Sequence, residues 1–135
     1  MPKVLIMMGS QSDMSTMEKG AAVLREAGVE TEVVVSSAHR DPTRTAAIAT
    51  AAADDGYDVV ICGAGLSAAL PGVVAAHTDL PVIGVPISAG SLGGMDALLS
   101  IAQMPPGVPV AAVGIDNARN AAHLALRIIA GRSGR

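Results

Sequence analysis

Lys3-Val-Leu-Ile-Met-Met-Gly-Ser-Gln-Ser-Asp13 decides the fold. Its first six residues form a near-continuous apolar run, as expected of a strand buried on both faces. A Gly-Ser loop follows at once. Met14, Met17, Ala21 and Leu24 then recur at helical spacing, and Gly28 ends that helix. A doubly buried strand that feeds a helix is the first half of a parallel crossover unit.

The same alternation continues along the chain. Residues 29–35 read as a second strand. Asp41-Pro42 is a helix start, Asp at the N-cap and Pro at the first helical position, and that helix is expected to run to about Asp55. Residues 59–62 give a third strand and 67–77 a short helix. Residues 82–85 give a fourth strand closed by Pro86, and 93–103 a further helix. Pro105-Pro106-Gly107 forces a turn before a fifth strand at 108–113. A last helix covers 117–130. Right-handed crossovers make this a three-layer α/β fold with a doubly wound, five-stranded parallel sheet, flavodoxin-like or Rossmann-like. Residues 1–131 are read as a single domain and 132–135 as a frayed tail. Ligands in such sheets bind beyond the carboxyl ends of the strands. The loops that matter are therefore 9–13, 36–41, 63–72, 86–94 and 114–117.

Composition narrows the function. The chain has 135 residues, 50% of them hydrophobic, yet only 1% aromatic, with no Trp or Phe. The net charge of −3 and the lack of stacking rings exclude a nucleic-acid partner. A single cysteine, Cys62, excludes a disulfide framework and a cysteine-based zinc site, and is expected to be a small buried hydrophobe. Between Asp58 and Asp116 the only formal charges are Asp79 and Asp96. A membrane span does not explain this stretch, because Gly63, Gly65, Ser67, Pro71 and Gly72 interrupt it. No Lys/Arg-led leader opens the chain, so a cytoplasmic location is expected.

The loops carry the chemistry. Gly9-Ser10-Gln11-Ser12-Asp13 leaves a strand and opens a helix, which suits a phosphate: glycine allows close approach, and the helix start offers free N–H groups. The same residues also suit an ordinary N-cap by Ser12 or Asp13. A carboxylate beside a phosphate loop serves ribose hydroxyls, so Asp13 favours a ribonucleotide. Ser37-Ala38-His39-Arg40 follows the second strand. Its imidazole can move protons, and its guanidinium fork matches phosphate. Gly63-Ala64-Gly65 and the residues up to Leu70 are small and uncharged. They serve either as a wall for a ligand or as a tight strand-to-helix turn. His77 and His123 stand alone and are read as structural. A phospho-receiver domain needs an Asp after the third strand, where Gly63 stands, and both a Walker loop and a dinucleotide fingerprint are absent.

Met8-Gly-Ser-Gln-Ser-Asp13, Ser37-Ala-His-Arg40, Gly63-Ala-Gly65, Leu70-Pro-Gly72 and Gln103-Met-Pro-Pro-Gly-Val-Pro109 occur in this order. Together they resemble the 5-(carboxyamino)imidazole ribonucleotide mutase family of purine biosynthesis, over essentially the whole chain. The resemblance implies an isomerase that moves a carboxylate from the exocyclic nitrogen of its imidazole ribonucleotide to ring carbon 4, without metal or cofactor. It implies decarboxylation, capture of the released carbon dioxide by carbon 4, and a proton shuttle at His39. It also implies substrate contacts at Gly9, Ser10, Ser12, Asp13, Ser37, Ala38, Arg40, Gly63, Ala64, Gly65 and Leu70. Arg40, Ser12 and Ser37 are expected near the phosphate and Asp13 near the ribose.

One residue departs from the pattern. The family commonly has His before Leu-Pro-Gly, and this chain has Ala69. A related class carboxylates aminoimidazole ribonucleotide directly with free carbon dioxide, and that is the second reading. A non-catalytic ribonucleotide-binding module is the third. The run Met95-Asp-Ala-Leu-Leu-Ser-Ile-Ala-Gln-Met104 has almost no polar face, so another subunit is expected to cover it. The resemblance implies a homo-octamer.

Overall fold

The computed structural model describes residues 1–133. The strands are β1 (Lys3–Met8), β2 (Glu30–Val35), β3 (Val59–Gly65), β4 (Val82–Ile87) and β5 (Ala111–Ala112). The helices are α1 (Met14–Glu26), α2 (Pro42–Ala51), α3 (Leu70–His77), α4 (Met95–Ala102) and α5 (Ala118–Ser133). All strand pairs are parallel, in the order β2-β1-β3-β4-β5. That is the flavodoxin-like order, and the sheet lies between two helical layers.

Period-two alternation distributes the apolar side chains. Val4, Ile6 and Met8 of β1, Val59 and Ile61 of β3, and Ile83, Val85 and Ile87 of β4 share one face with α1 and α5. Leu5, Met7, Val60, Cys62 and Ala64 point the other way, toward α2, α3 and α4. Val4 to Met8 are at most 1% exposed. A strand covered on both sides cannot alternate apolar with polar, which is why its sequence reads as one apolar run. Burial in apolar surroundings also pushes the Cys62 thiol well above its ordinary range.

Several boundaries differ from the sequence reading. β3 continues through Gly65, because Gly63, Ala64 and Gly65 pair with Val85, Pro86 and Ile87. Pro86 therefore sits inside β4 rather than closing it. Its carbonyl accepts from the Asp116 N–H at 2.7 Å. In a strand, a residue's N and O face the same neighbour, so the missing Pro86 donor faces the side where β5 has already ended. β5 itself shrinks from the expected 108–113 to two residues. Pro109 has no donor, and an edge position offers only β4 as partner. The second helix stops at Ala51, short of Asp55, and turns carry the chain to Gly56. Asp41 is its N-cap as expected, accepting from the Arg44 N–H at 3.2 Å. The last helix does not stop at Gly131. It reaches Ser133, so the expected tail at 132–135 begins no earlier than 134, and residues 134–135 lie outside the described part. Among the described residues no helix is long and apolar enough to cross a membrane.

Close packing replaces aromatic bulk. A Cβ on Gly20 of α1 would lie 2.7 Å from the Ala118 carbonyl oxygen at the start of α5. Helix propensity alone favours Gly20→Ala by about 1 kcal/mol. The contact is with backbone, which cannot rotate away, so the substitution should instead destabilise the fold by about 1–3 kcal/mol. Thermal unfolding at fixed protein concentration measures this, and a higher melting temperature would show that the helices can separate at no cost.

Candidate functional site

The chain leaves β1 toward the face of α1 and leaves β3 toward the opposite face, where α3 lies. β1 and β3 are adjacent, so their exits diverge and leave a crevice between them. A cavity of about 390 Å³ opens there. That volume suits a small phosphorylated metabolite. Four loops line it, those that follow β1, β2, β3 and β4.

The loop after β1 is held by its own hydroxyls. Ser10 is the N-cap of a 3₁₀ turn at Gln11–Asp13, accepting from the Ser12 N–H at 3.3 Å. The Ser10 and Ser12 hydroxyls lie 2.9 Å apart. Asp13 stands at the N-cap position of α1 but makes no capping hydrogen bond with its side chain. The simple capping explanation for Ser12 and Asp13 therefore fails, because Ser10 does that work. Asp13 is half-buried at the cavity wall. Burial raises its carboxyl above the usual range, a backbone hydrogen bond at Ser10 opposes this, and the negative charge of Asp116 adds to the rise.

The loop after β2 is pinned from beneath. The buried Ser36 and Thr45 hydroxyls meet at 2.7 Å, and the Thr45 hydroxyl also reaches the Ser37 carbonyl at 3.2 Å. Arg44 donates to the Val35 carbonyl at 2.6 Å. The Ser37 hydroxyl accepts from the Arg40 N–H at 3.1 Å, and the Ser37 carbonyl from the Asp41 N–H at 2.9 Å. The turn so formed presents His39 and Arg40, both exposed, on the cavity rim.

The loop after β3 supplies the apolar wall: Ala64, Gly65, Leu66, Ala68, Ala69 and Leu70, with Ser67 beside them. Leu66 and Ala68 adopt positive φ angles of 55° and 22°. Non-glycine residues in this region carry strain, and such strain concentrates at functional sites.

Gly9, Ser10, Ser12, Asp13, Ser37, Ala38, His39, Arg40, Ala64, Gly65 and Leu70, all singled out from sequence, line this one cavity. Gly63 does not. A Cβ there would run into the Met17 side chain, so its smallness serves the packing of α1 on β3. Leu66, Ser67, Ala68, Ala69 and Ala89 also line the cavity and were not named as substrate contacts. They sit in loops flagged by position, but alanine and leucine carry no chemical signature. His77 bonds within its own helix, to the Val73 carbonyl at 2.8 Å, away from the cavity. The whole assembly joins a cation, serine hydroxyls, a carboxylate and an imidazole to an apolar wall. It can seat an anionic, hydroxyl-bearing ligand and move a proton on it.

The model of the AIR carboxylase family matches residues 3–134. The N5-carboxyaminoimidazole ribonucleotide mutase of Pyrococcus abyssi is 57% identical over 129 residues, which is 96% of this chain and 74% of that protein. The phosphoribosylaminoimidazole carboxylase of Saccharomyces cerevisiae is 53% identical over 128 residues, 95% of this chain but 22% of that protein. Among solved structures, Treponema denticola PurE superposes with a TM-score of 0.84 at 34% identity, covering 96% of this chain and 81% of that one.

Thr45→Val tests how the His39 loop is held. Valine keeps the shape but leaves the Ser36 hydroxyl buried without its partner, a loss of about 1–3 kcal/mol. Thr45→Ser retains the hydroxyl and should keep most of that stability. Equal melting temperatures for Thr45→Val and the parent would mean that the pair holds nothing.

Proposed function

Because this chain belongs to the AIR carboxylase family, we propose that its cavity carries out the N5-carboxyaminoimidazole ribonucleotide mutase reaction of purine biosynthesis. The observation that carries this reading is the convergence at the β1/β3 crevice. A proton-transfer residue and a cation, His39 and Arg40, share one cavity with a Gly-Ser loop and a small apolar wall.

The steps follow from the residues. Arg40, with the Ser12 and Ser37 hydroxyls, holds the phosphate. Asp13, as a carboxylate, accepts from ribose hydroxyls. The N–C bond of the carboxyamino group breaks, and its electron pair stays on nitrogen, which takes a proton from His39. Carbon dioxide leaves as a neutral, apolar molecule. Ala64, Ala68, Ala69 and Leu70 form a wall that suits it, and confinement makes recapture nearly unimolecular. Carbon 4 attacks the carbon dioxide, the new C–C bond forms, and the ring proton at carbon 4 returns to His39. One proton is given and one regained, so the cycle needs no other acid or base.

A second reading has a specific observation behind it. Ala69 stands where the family commonly has His, so the apolar wall lacks a titratable group, and entry of free carbon dioxide is the alternative. The carboxylase named above in Saccharomyces cerevisiae shares the same fold segment. A paired assay decides between them. The mutase converts the carboxyamino ribonucleotide without ATP or added bicarbonate, whereas a direct carboxylase turns over aminoimidazole ribonucleotide only when bicarbonate or carbon dioxide is supplied. His39→Asn should lower turnover by at least about 100-fold in either case, and full activity in that variant rules out the proton shuttle.

A cytoplasmic homo-octamer is part of the same proposal. Leu92, Met95 and Leu99 are 63%, 52% and 53% exposed. Met95 and Leu99 lie four residues apart on the outer side of α4, whose Ala97 and Ile101 are buried, and Leu92 ends the 3₁₀ turn just before it. An apolar stripe of this kind is the mark of a subunit contact. Leu99→Glu should therefore shift the protein to smaller species on sizing and reduce activity with it. A native-sized, fully active Leu99→Glu protein would remove α4 from the interface.

A further inference from the structure

Asp116 lies between β5 and α5, outside the cavity lining, and three observations set it apart. First, it is a non-glycine residue at φ 60°. The Val113 N–H donates to the Gly84 carbonyl at 3.1 Å, and the Asp116 N–H to the Pro86 carbonyl at 2.7 Å. Two residues of β4 thus face three of the β5 segment. The extra residue is taken up by a turn after β5, closed by the Asn117 N–H on the Gly114 carbonyl at 3.0 Å, with Asp116 left-handed at its third position. Aspartate tolerates this region better than most side chains.

Second, this turn carries the side chain to the loop after β4. The Asp116 carboxylate accepts from the Ser88 N–H at 2.8 Å. Ser88 opens the loop after β4, and its neighbour Ala89 lines the cavity. The preceding residue braces the far end of the same loop. A Cβ on Gly94 would lie 2.6 Å from the Ile115 side chain, so Ile115 is seated against Gly94. The 115–116 dipeptide therefore grips the 88–94 loop at both ends.

Third, Asp116 acts on Asp13. Among the described residues it is the charged group whose field is felt there, the other influences being burial and the Ser10 backbone. Asp116 thus bears on the cavity in two ways without lining it: it holds the β4 loop through Ser88, and its negative charge adds to the rise at Asp13.

We propose that Asp116 is a positioning residue for the mutase reaction, clamping the 88–94 loop at the edge of the cavity. This rests on the reading of the cavity as the ribonucleotide site. Asp13 binds hydroxyls best as a carboxylate, so substrate affinity falls as pH drops through its titration. Removing the charge at Asp116 eases ionisation of Asp13 and moves that acid limb to lower pH.

Three variants separate the parts. Asp116→Asn keeps the acceptor for Ser88 and tolerates the left-handed backbone, but loses the charge. Asp116→Ala loses both acceptor and charge. Asp116→Gly also loses both, while relieving the backbone, and so keeps the test alive should the alanine variant fail to fold. Steady-state mutase assays from pH 5 to 8 read the outcome. For the glycine and alanine variants KM should rise about tenfold with kcat changed far less, since the loop is displaced and the reacting atoms are not. Asp116→Asn should recover most of that KM while its acid limb in kcat/KM moves to lower pH. Parental KM and parental acid limb in both Asp116→Gly and Asp116→Asn would overturn the proposal. Failure of the parent enzyme to bind or convert the ribonucleotide would overturn instead the reading beneath it.

Discussion

The pairing of β1 with β3 is the constraint on which the rest depends. Five residue pairs of parallel ladder fix these strands side by side, and their following helices lie on opposite faces. Neither helix can close the gap above the pair without abandoning its own face of the core. The crevice is a consequence of covering both sides of a parallel sheet. It persists because the apolar burial on either side is worth far more than the gap costs.

The same double coverage explains the unusual composition. Helices must lie close on a sheet whose own side chains already fill much of the space between layers. Gly20 lets α1 approach α5, Gly63 admits the Met17 side chain, and Gly84 makes room for Ile101. A large ring at any of these points would force the layers apart. Ala49, Ala52, Ala97, Ala118, Ala121, Ala122 and Ala125 are fully or almost fully buried for the same reason. Charge is scarce between Asp58 and Asp116 because that stretch holds two buried strands, the neutral cavity wall and a helix whose outer side is still apolar.

Much of the site was legible before any coordinates. The Gly-Ser loop, the His39-Arg40 turn and the small-residue loop each announce themselves by residue type, and each lies after a strand. Other features were illegible for physical reasons. The role of Gly63 depends on which side chain lies opposite, and Met17 is far away in sequence. Ser36 and Thr45 look like ordinary polar residues until burial shows that their hydroxyls have only each other and the nearby backbone. The shortening of β5 depends on an edge position that strand periodicity cannot reveal. The continuation of β4 through Pro86 depends on which neighbour its missing donor would have faced.

Local pattern therefore settled the order of strands and helices, the parallel sheet, and the loops in which chemistry sits. These follow from the period of apolar residues and from turn and cap residues, which act over a few positions along the chain. Tertiary structure alone decided that Asp13, His39, Arg40 and Leu70 share one cavity, that Gly63 belongs to packing, and that the Asp116 carboxylate meets the Ser88 N–H. Those are contacts between segments tens of residues apart. Their geometry exists only after the strands have been put in order, since a sheet edge and a crevice are properties of the neighbours and not of any one segment.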